Sequence, residues 1–230
     1  MARQGPELKP RADGAGALAS QRVREKMAER VGQQGVRDAR VLEAMATVPR
    51  HLFVDAALAS RAYEDSAMPI GYGQTISRPY IVARCAELLL EAIRQPQAAT
   101  VLEIGTGCGY AAAVLAQLFG TVVTVERLRP LHELARANLR PLRLPNLRLV
   151  FGDGSLGVPG QPPFDGIVAA AAGVELPPAW LAQLRNGGRL VAPLGVGQQR
   201  LVVAQKDAAG RTSQRTVEAV RFVPLKPGTG

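Results

Sequence analysis

With 230 residues, 47% of them hydrophobic and 4% aromatic, the chain can bury the core of one compact domain with an appendage, and it is too short for two full domains and a linker. Its 28 basic and 19 acidic side chains leave a formal charge of +9. The densest basic group (Arg127, Arg129, Arg136, Arg140, Arg143, Arg148) lacks interleaved aromatics that would stack bases, so it reads as a solvated helix face. Two cysteines outside any CxxC pair and two histidines speak against a zinc site or disulfide framework; no apolar run approaches the ~20 residues of a membrane span, and a cytoplasmic protein is expected.

Residues 1–20 are rich in Gly, Pro, Ala and basic side chains without periodicity, the composition of a disordered lead-in. Over residues 21–48, Val23, Met27 and Val31, then Val36, Val41, Leu42 and Met45, recur at helical spacing with a break near Gly32 to Gly35, predicting a small helical cap. Residues 49–78 read as a loop with short helical pieces, ending in the turn vocabulary Pro69-Ile70-Gly71-Tyr72-Gly73. Such a long, weakly periodic segment is expected to be a binding loop. Residues 79–93 open on Pro79 and place Ile81, Val82, Cys85, Leu88, Leu89 and Ile93 on one face, which predicts a helix packed on a sheet.

From residue 100 the apolar runs 100–104, 121–125, 147–150, 166–170, 189–193, 200–205 and 216–223 are interleaved with helical stretches at 110–119, 130–139 and 178–184. Apolar runs without alternation belong to strands covered on both faces, so the pattern predicts an α/β fold with a doubly wound, mostly parallel sheet. No helix separates the last two runs, which should form an antiparallel edge hairpin turning at 207–210. The organisation expected is a lead-in over 1–20, a helical cap and substrate loop over 21–99, and a cofactor-binding α/β core over 100–230 continuous with it.

Three features fall at the carboxyl ends of predicted strands, where ligands lie in such sheets. The run GTGCGY at 105–110 joins a strand to a helix, and glycines there bring backbone N–H groups and the positive helix end close to a ligand. Glu126 follows the strand 121–125, where a carboxylate can accept from both hydroxyls of a ribose. Asp153, between Gly152 and Gly154, could accept from an adenine amino group. Together they outline an adenosine, common to NAD and S-adenosylmethionine. The glycines fall at 105, 107 and 109, and Tyr110 stands where the dinucleotide fingerprint needs its third glycine. Glu103, on the strand before the turn, suits a cationic amino-acid tail better than a pyrophosphate, so the methyl donor is preferred.

The stretches VPRHLFV (48–54), AYEDSAMPIGYGQTISRPYIVA (62–83), VLEIGTGCGY (101–110), FGDG (151–154), PPFDGI (162–167), GGRLVAPLG (187–195) and VRFVPL (220–225) resemble the protein-L-isoaspartate O-methyltransferases. The glycine turn is shared by many methyltransferases, whereas PIGYGQTIS is far more particular. The resemblance, over residues 21–225, implies a Rossmann-like methyltransferase fold. It implies an enzyme that transfers a methyl group from S-adenosylmethionine to the free α-carboxylate of L-isoaspartyl residues; the ester then recloses to a succinimide that can reopen as aspartate. It makes Ser77 the catalytic serine, with Gln74, Thr75 and Ile76 beside the donor, and Glu103, Gly105, Thr106, Gly107, Gly109, Glu126, Asp153 and Gly154 as donor-binding residues. Ser77 could equally N-cap the helix that begins at Pro79. An acceptor carboxylate is ionised at neutral pH, so no general base is required and no His or Cys constellation is expected.

Two positions depart from the family pattern. Cys108 stands where Ser is common and would leave a thiol beside the donor, and the alanines at 169–172 replace a stretch that usually includes Thr. Competing readings are a nucleic-acid methyltransferase, prompted by the charge, and a non-catalytic S-adenosylmethionine-binding module. The fourth core strand leads into alanines rather than an Asn/Asp-Pro-Pro-aromatic motif, and neither cysteine follows proline, which weighs against the first. The partners expected are isoaspartyl proteins and peptides, with no nucleic acid or membrane, and a monomeric chain.

Overall fold

In the computed structural model, which describes residues 21–230, the N-terminal cap is two helices, α1 (Gln21–Gln33) and α2 (Ala39–Thr47). The lead-in expected over 1–20 lies outside the described residues. α1 ends at the predicted glycine break, and α2 restarts because the Asp38 carboxylate accepts the Arg40 N–H at 2.9 Å. Their apolar faces, Met27 and Val31 on α1 and Val41 and Met45 on α2, are buried in one core.

Residues 49–78 hold more structure than their turn-rich sequence suggests. After two 3₁₀ turns (Arg50–Phe53 and Ala56–Arg61), strands β1 (Met68–Gly71) and β2 (Gln74–Ile76) pair antiparallel, with Met68 opposite Ile76. The turn vocabulary is a hairpin tip, where Tyr72 takes φ 54°, a left-handed conformation uncommon outside glycine. A lone two-stranded unit is marginal in water; this one buries Met68, Ile70 and Ile76 in the main core.

Helix α3 (Pro79–Leu90) starts with proline in its first turn, as predicted. Its cap is not Ser77. The Tyr80 N–H donates to Asp65 Oδ1 at 3.0 Å, and Asp65 Oδ2 pairs with Arg78 at 2.6 Å. Burial pushes the Asp65 carboxyl up, but the Tyr80 N–H and the Arg78 guanidinium outweigh it and hold it below the ordinary carboxylate value.

The main sheet has strands β3 (Thr100–Ile104), β4 (Thr121–Glu126), β5 (Leu147–Phe151), β6 (Phe164–Ala169), β7 (Leu184–Leu194), β8 (Gln199–Lys206) and β9 (Thr212–Val220), in the order β5-β4-β3-β6-β7-β8-β9. Helices α4 (Tyr110–Leu118), α5 (Arg129–Leu139) and α6 (Pro178–Gln183) connect the parallel strands β3 to β7, except that β5 passes to β6 without a long helix. β8 is antiparallel to both β7 and β9, so the antiparallel edge begins one connection earlier than the apolar runs indicated. β9 also begins and ends earlier than predicted, because an edge strand left exposed needs no apolar residues and Thr212–Thr216 gives no hydrophobic signal. Residues 221–225 leave the sheet and pair with Ala172, whose N–H donates to Val223 O at 2.8 Å.

This is the expected α/β, doubly wound and mostly parallel sheet with an antiparallel edge and a helical cap. The chain runs outward from β3 to β5 and returns to β6 on the other side of β3, so the crevice lies at the carboxyl ends of β3 and β6.

Candidate active site

At that crevice β3 breaks into the glycine turn, where Gly105, Gly107 and Gly109 take φ 91°, 56° and 93°. Side chains are strained in this region, which accounts for the three glycines. Gly105 and Thr106 donate backbone N–H groups to Val125 O at 2.9 and 3.2 Å, tying the turn to the end of β4. A cleft opens above it, lined by Gln74, Thr75, Ile76 and Ser77 together with Glu103, Gly105, Thr106, Gly107, Glu126 and Gly154.

Glu126 is 5% exposed, and its two oxygens each accept one backbone N–H at 2.9 Å, from Gly107 and from Leu128. Each oxygen keeps a lone pair for a ligand hydroxyl. Glu103 lies deeper, 1% exposed, and its Oε2 accepts the Thr124 hydroxyl at 2.6 Å. With that proton committed, Thr106 is left to donate to Thr124 Oγ1 across 2.6 Å. Burial pushes the Glu103 carboxyl up to about 8, which favours its protonated form at neutral pH.

Gly154 reaches the cleft for a different reason than its neighbour's expected contact with adenine. Trp180, fully buried, donates its indole N–H to Gly154 O at 2.8 Å, and a Cβ on Gly154 would sit 2.8 Å from Ile104 Cγ2. Two predicted residues stand off the cleft. Gly109 is the left-handed cap of α4, and a Cβ there would meet Leu139 Cδ1 at 2.8 Å. Asp153 turns its carboxylate elsewhere: Oδ1 accepts from the Ser155 N–H and hydroxyl at 2.9 and 2.7 Å, and Oδ2 accepts the Gly228 N–H at 2.6 Å. Burial pushes its carboxyl up, but these donors outweigh that and hold it below its ordinary value. Asp153 therefore anchors the C-terminal segment, whose residues Val223 to Lys226 complete the cleft wall.

Cys108 lines the cleft at 2% exposure, and burial pushes its thiol up to about 11, so it is a small apolar wall residue instead of a reactive group. Ala170 and Ala171 also line the cleft and bring no hydroxyl to it. Beside Ser77 a second, mostly apolar recess of about 360 Å³ is bounded by Ile81, Val82, Cys85, Val168 and Phe222. Sequence reasoning did not single out Arg50, which is fully buried and donates to Ser77 O at 2.7 Å.

The family model for protein-L-isoaspartate(D-aspartate) O-methyltransferase matches residues 21–230. The chain belongs to this family. A protein-L-isoaspartate O-methyltransferase of Ralstonia nicotianae is 54% identical over 94% of this chain and 72% of its own length, and one of Bordetella parapertussis is 57% identical over 95% and 84%. A solved protein-L-isoaspartate O-methyltransferase structure superposes with a TM-score of 0.79 at 30% identity, covering 90% of this chain and 67% of its own. The family match takes in the whole cleft, from Ile70 to Lys226.

Proposed function

We propose that the cleft binds S-adenosylmethionine along the glycine turn and transfers its methyl group to the free α-carboxylate of an L-isoaspartyl residue, with Ser77 orienting that carboxylate. The observation that carries this reading is that Ser77 and the glycine turn, far apart in sequence, line one cleft in a chain of this family. The residues suit the donor: Glu126 offers lone pairs to a ribose, Glu103 a carboxyl to an ammonium, and the side-chain-free turn a close backbone approach.

When bound, the donor supplies an electrophilic methyl carbon on a sulfonium. An ionised acceptor carboxylate would take that methyl with loss of one negative and one positive charge, so no residue of the chain would need to move a proton. The chain's task is then alignment and exclusion of water. Ser77 donates a hydrogen bond that fixes the carboxylate's approach, and the apolar recess beside it favours a reaction in which opposite charges cancel. Because no base is needed, high-pKa Cys108 and Cys85 are compatible with full activity.

We also read the chain as a cytoplasmic monomer that acts on isoaspartyl proteins and not on nucleic acid. The scattered basic residues weigh against nucleic acid, and no described helix is long and apolar enough to cross a membrane. Ser77→Ala tests the assignment of the serine. Loss of a hydrogen bond to a charged group costs about 1.5–3 kcal/mol, so kcat/KM for an isoaspartyl peptide should fall about ten- to a hundredfold. Affinity for S-adenosylhomocysteine should be unchanged; unchanged turnover and peptide KM would remove Ser77 from the role.

A further inference from the structure

Arg50 is fully buried, and the hydrogen bonds it makes among the described residues go to carbonyls and not to a carboxylate. Its Nε donates to Ala62 O at 2.7 Å and its Nη2 to Ser77 O at 2.7 Å, with Ser66 O at 3.5 Å, while Nη1 has no partner. Its guanidinium lies 4.6 Å from the centre of the Tyr110 ring, the first residue of α4 after the glycine turn. Burial lowers its pKa, against the favourable influence of Tyr110, Cys108 and the Asp65 carboxylate.

Burying a guanidinium that hydrogen-bonds only to carbonyls, with the Asp65 carboxylate acting on it through charge and not through a hydrogen bond, is costly, and an apolar side chain of similar volume would commonly serve a core as well or better. What the apolar residue could not do is hold three carbonyls of the segment 62–77 at fixed distances from the turn that receives the donor. Arg50 touches both halves of the cleft: the aromatic ring behind the glycine turn, and the peptide that carries Ser77. The side chain of the next residue, Arg78, pairs with Asp65, whose charge also acts on Arg50.

We propose that Arg50 is a positioning residue for methyl transfer: its guanidinium locks the Ser77 peptide against Tyr110 and so sets the acceptor serine in register with the donor-binding turn. This rests on the reading of Ser77 as the residue that orients the acceptor. Arg50 touches no substrate; it acts through Ser77, and the consequence of losing it is a misaligned acceptor in a site that still binds donor.

The test compares Arg50→Met and Arg50→Lys, each alone and combined with Ser77→Ala, by steady-state kinetics on an isoaspartyl peptide and by calorimetry with S-adenosylhomocysteine. Arg50→Met should lower kcat roughly tenfold or more while leaving S-adenosylhomocysteine affinity within about threefold, since a small misplacement costs rate and not donor contacts. Arg50→Lys, which keeps a donor and the charge, should recover part of kcat; it carries the test alone if the methionine variant does not fold. On the Ser77→Ala background either change should cost less than about twofold, because the two residues act as one unit.

Parallel loss of activity and donor affinity, or a lower Tm with kcat intact, would show a purely structural staple and overturn the proposal. Losses that multiply in the double variants would overturn it while leaving Ser77 in place. An inert Ser77→Ala would instead overturn the reading of the serine, and this proposal with it.

Discussion

Replacing Glu103 by glutamine removes a buried ionisable group whose charge the fold disfavours. The Glu103 carboxyl, ordinarily near 4.5, is pushed up to about 8 by burial. Between those values the folded protein holds a proton that the unfolded chain has released, so folding weakens by about 1.4 kcal/mol for each pH unit in that window. Below about pH 4.5 both states are protonated and the stabilising proton is fully present; by pH 7 about 3 kcal/mol has been lost. Glutamine is the shape of the protonated acid, and its carbonyl oxygen can still accept the Thr124 hydroxyl.

Glu103→Gln should therefore leave Tm unchanged near pH 4 and raise it by about 6–12 °C at pH 7, at about 2–4 °C per kcal/mol for a chain of this size. The assay is scanning calorimetry of the donor-free protein across this pH range, read as the difference between variant and parent. On the proposed reading Glu103 meets the donor's ammonium as a carboxylate, giving up its proton on binding, so the same change should lower S-adenosylmethionine affinity by about tenfold, close to 1.4 kcal/mol. A variant whose Tm falls with pH as steeply as the parent's would refute the reasoning, because the pH dependence would then belong to other groups.

Three further outcomes follow from the cleft's construction. Gly154→Ala places a Cβ 2.8 Å from Ile104 Cγ2 and should destabilise the protein by about 1–3 kcal/mol in chemical denaturation, with weaker donor binding; a wild-type midpoint would contradict that packing. With its thiol near 11, Cys108 is thiolate in roughly one molecule per thousand at pH 8. Native protein should resist iodoacetamide and denatured protein should take up label at both Cys85 and Cys108; rapid native labelling of Cys108 would count against its burial. Omitting residues 226–230 removes Lys226 from the cleft wall and the Gly228 bond to Asp153, so S-adenosylhomocysteine should dissociate several-fold faster in stopped flow, and an unchanged rate would show that the segment closes nothing.

The parallel core was legible because strands covered on both faces are written as unbroken apolar runs, and the glycine turn because three left-handed positions leave little choice of residue. The hairpin at 68–76 was hidden: Pro69, Gly71 and Gly73 serve a strand pair as well as a loop, and only the burial of Met68, Ile70 and Ile76 distinguishes them. β9 shifted because exposed edge residues carry no hydrophobic pattern. Asp153 was placed correctly at a strand end, yet sequence gives no sign of where a carboxylate turns, and its partner Gly228 lies 75 positions away. Arg50 left no trace because its partners are backbone carbonyls, which every sequence position supplies.

The most direct test of the central claim is transfer of labelled methyl from S-adenosylmethionine to an isoaspartyl peptide, run beside its normal aspartyl twin and bulk RNA. Label confined to the isoaspartyl peptide, as a base-labile ester, is the result expected. Equal labelling of the aspartyl twin, or label in RNA alone, would contradict it.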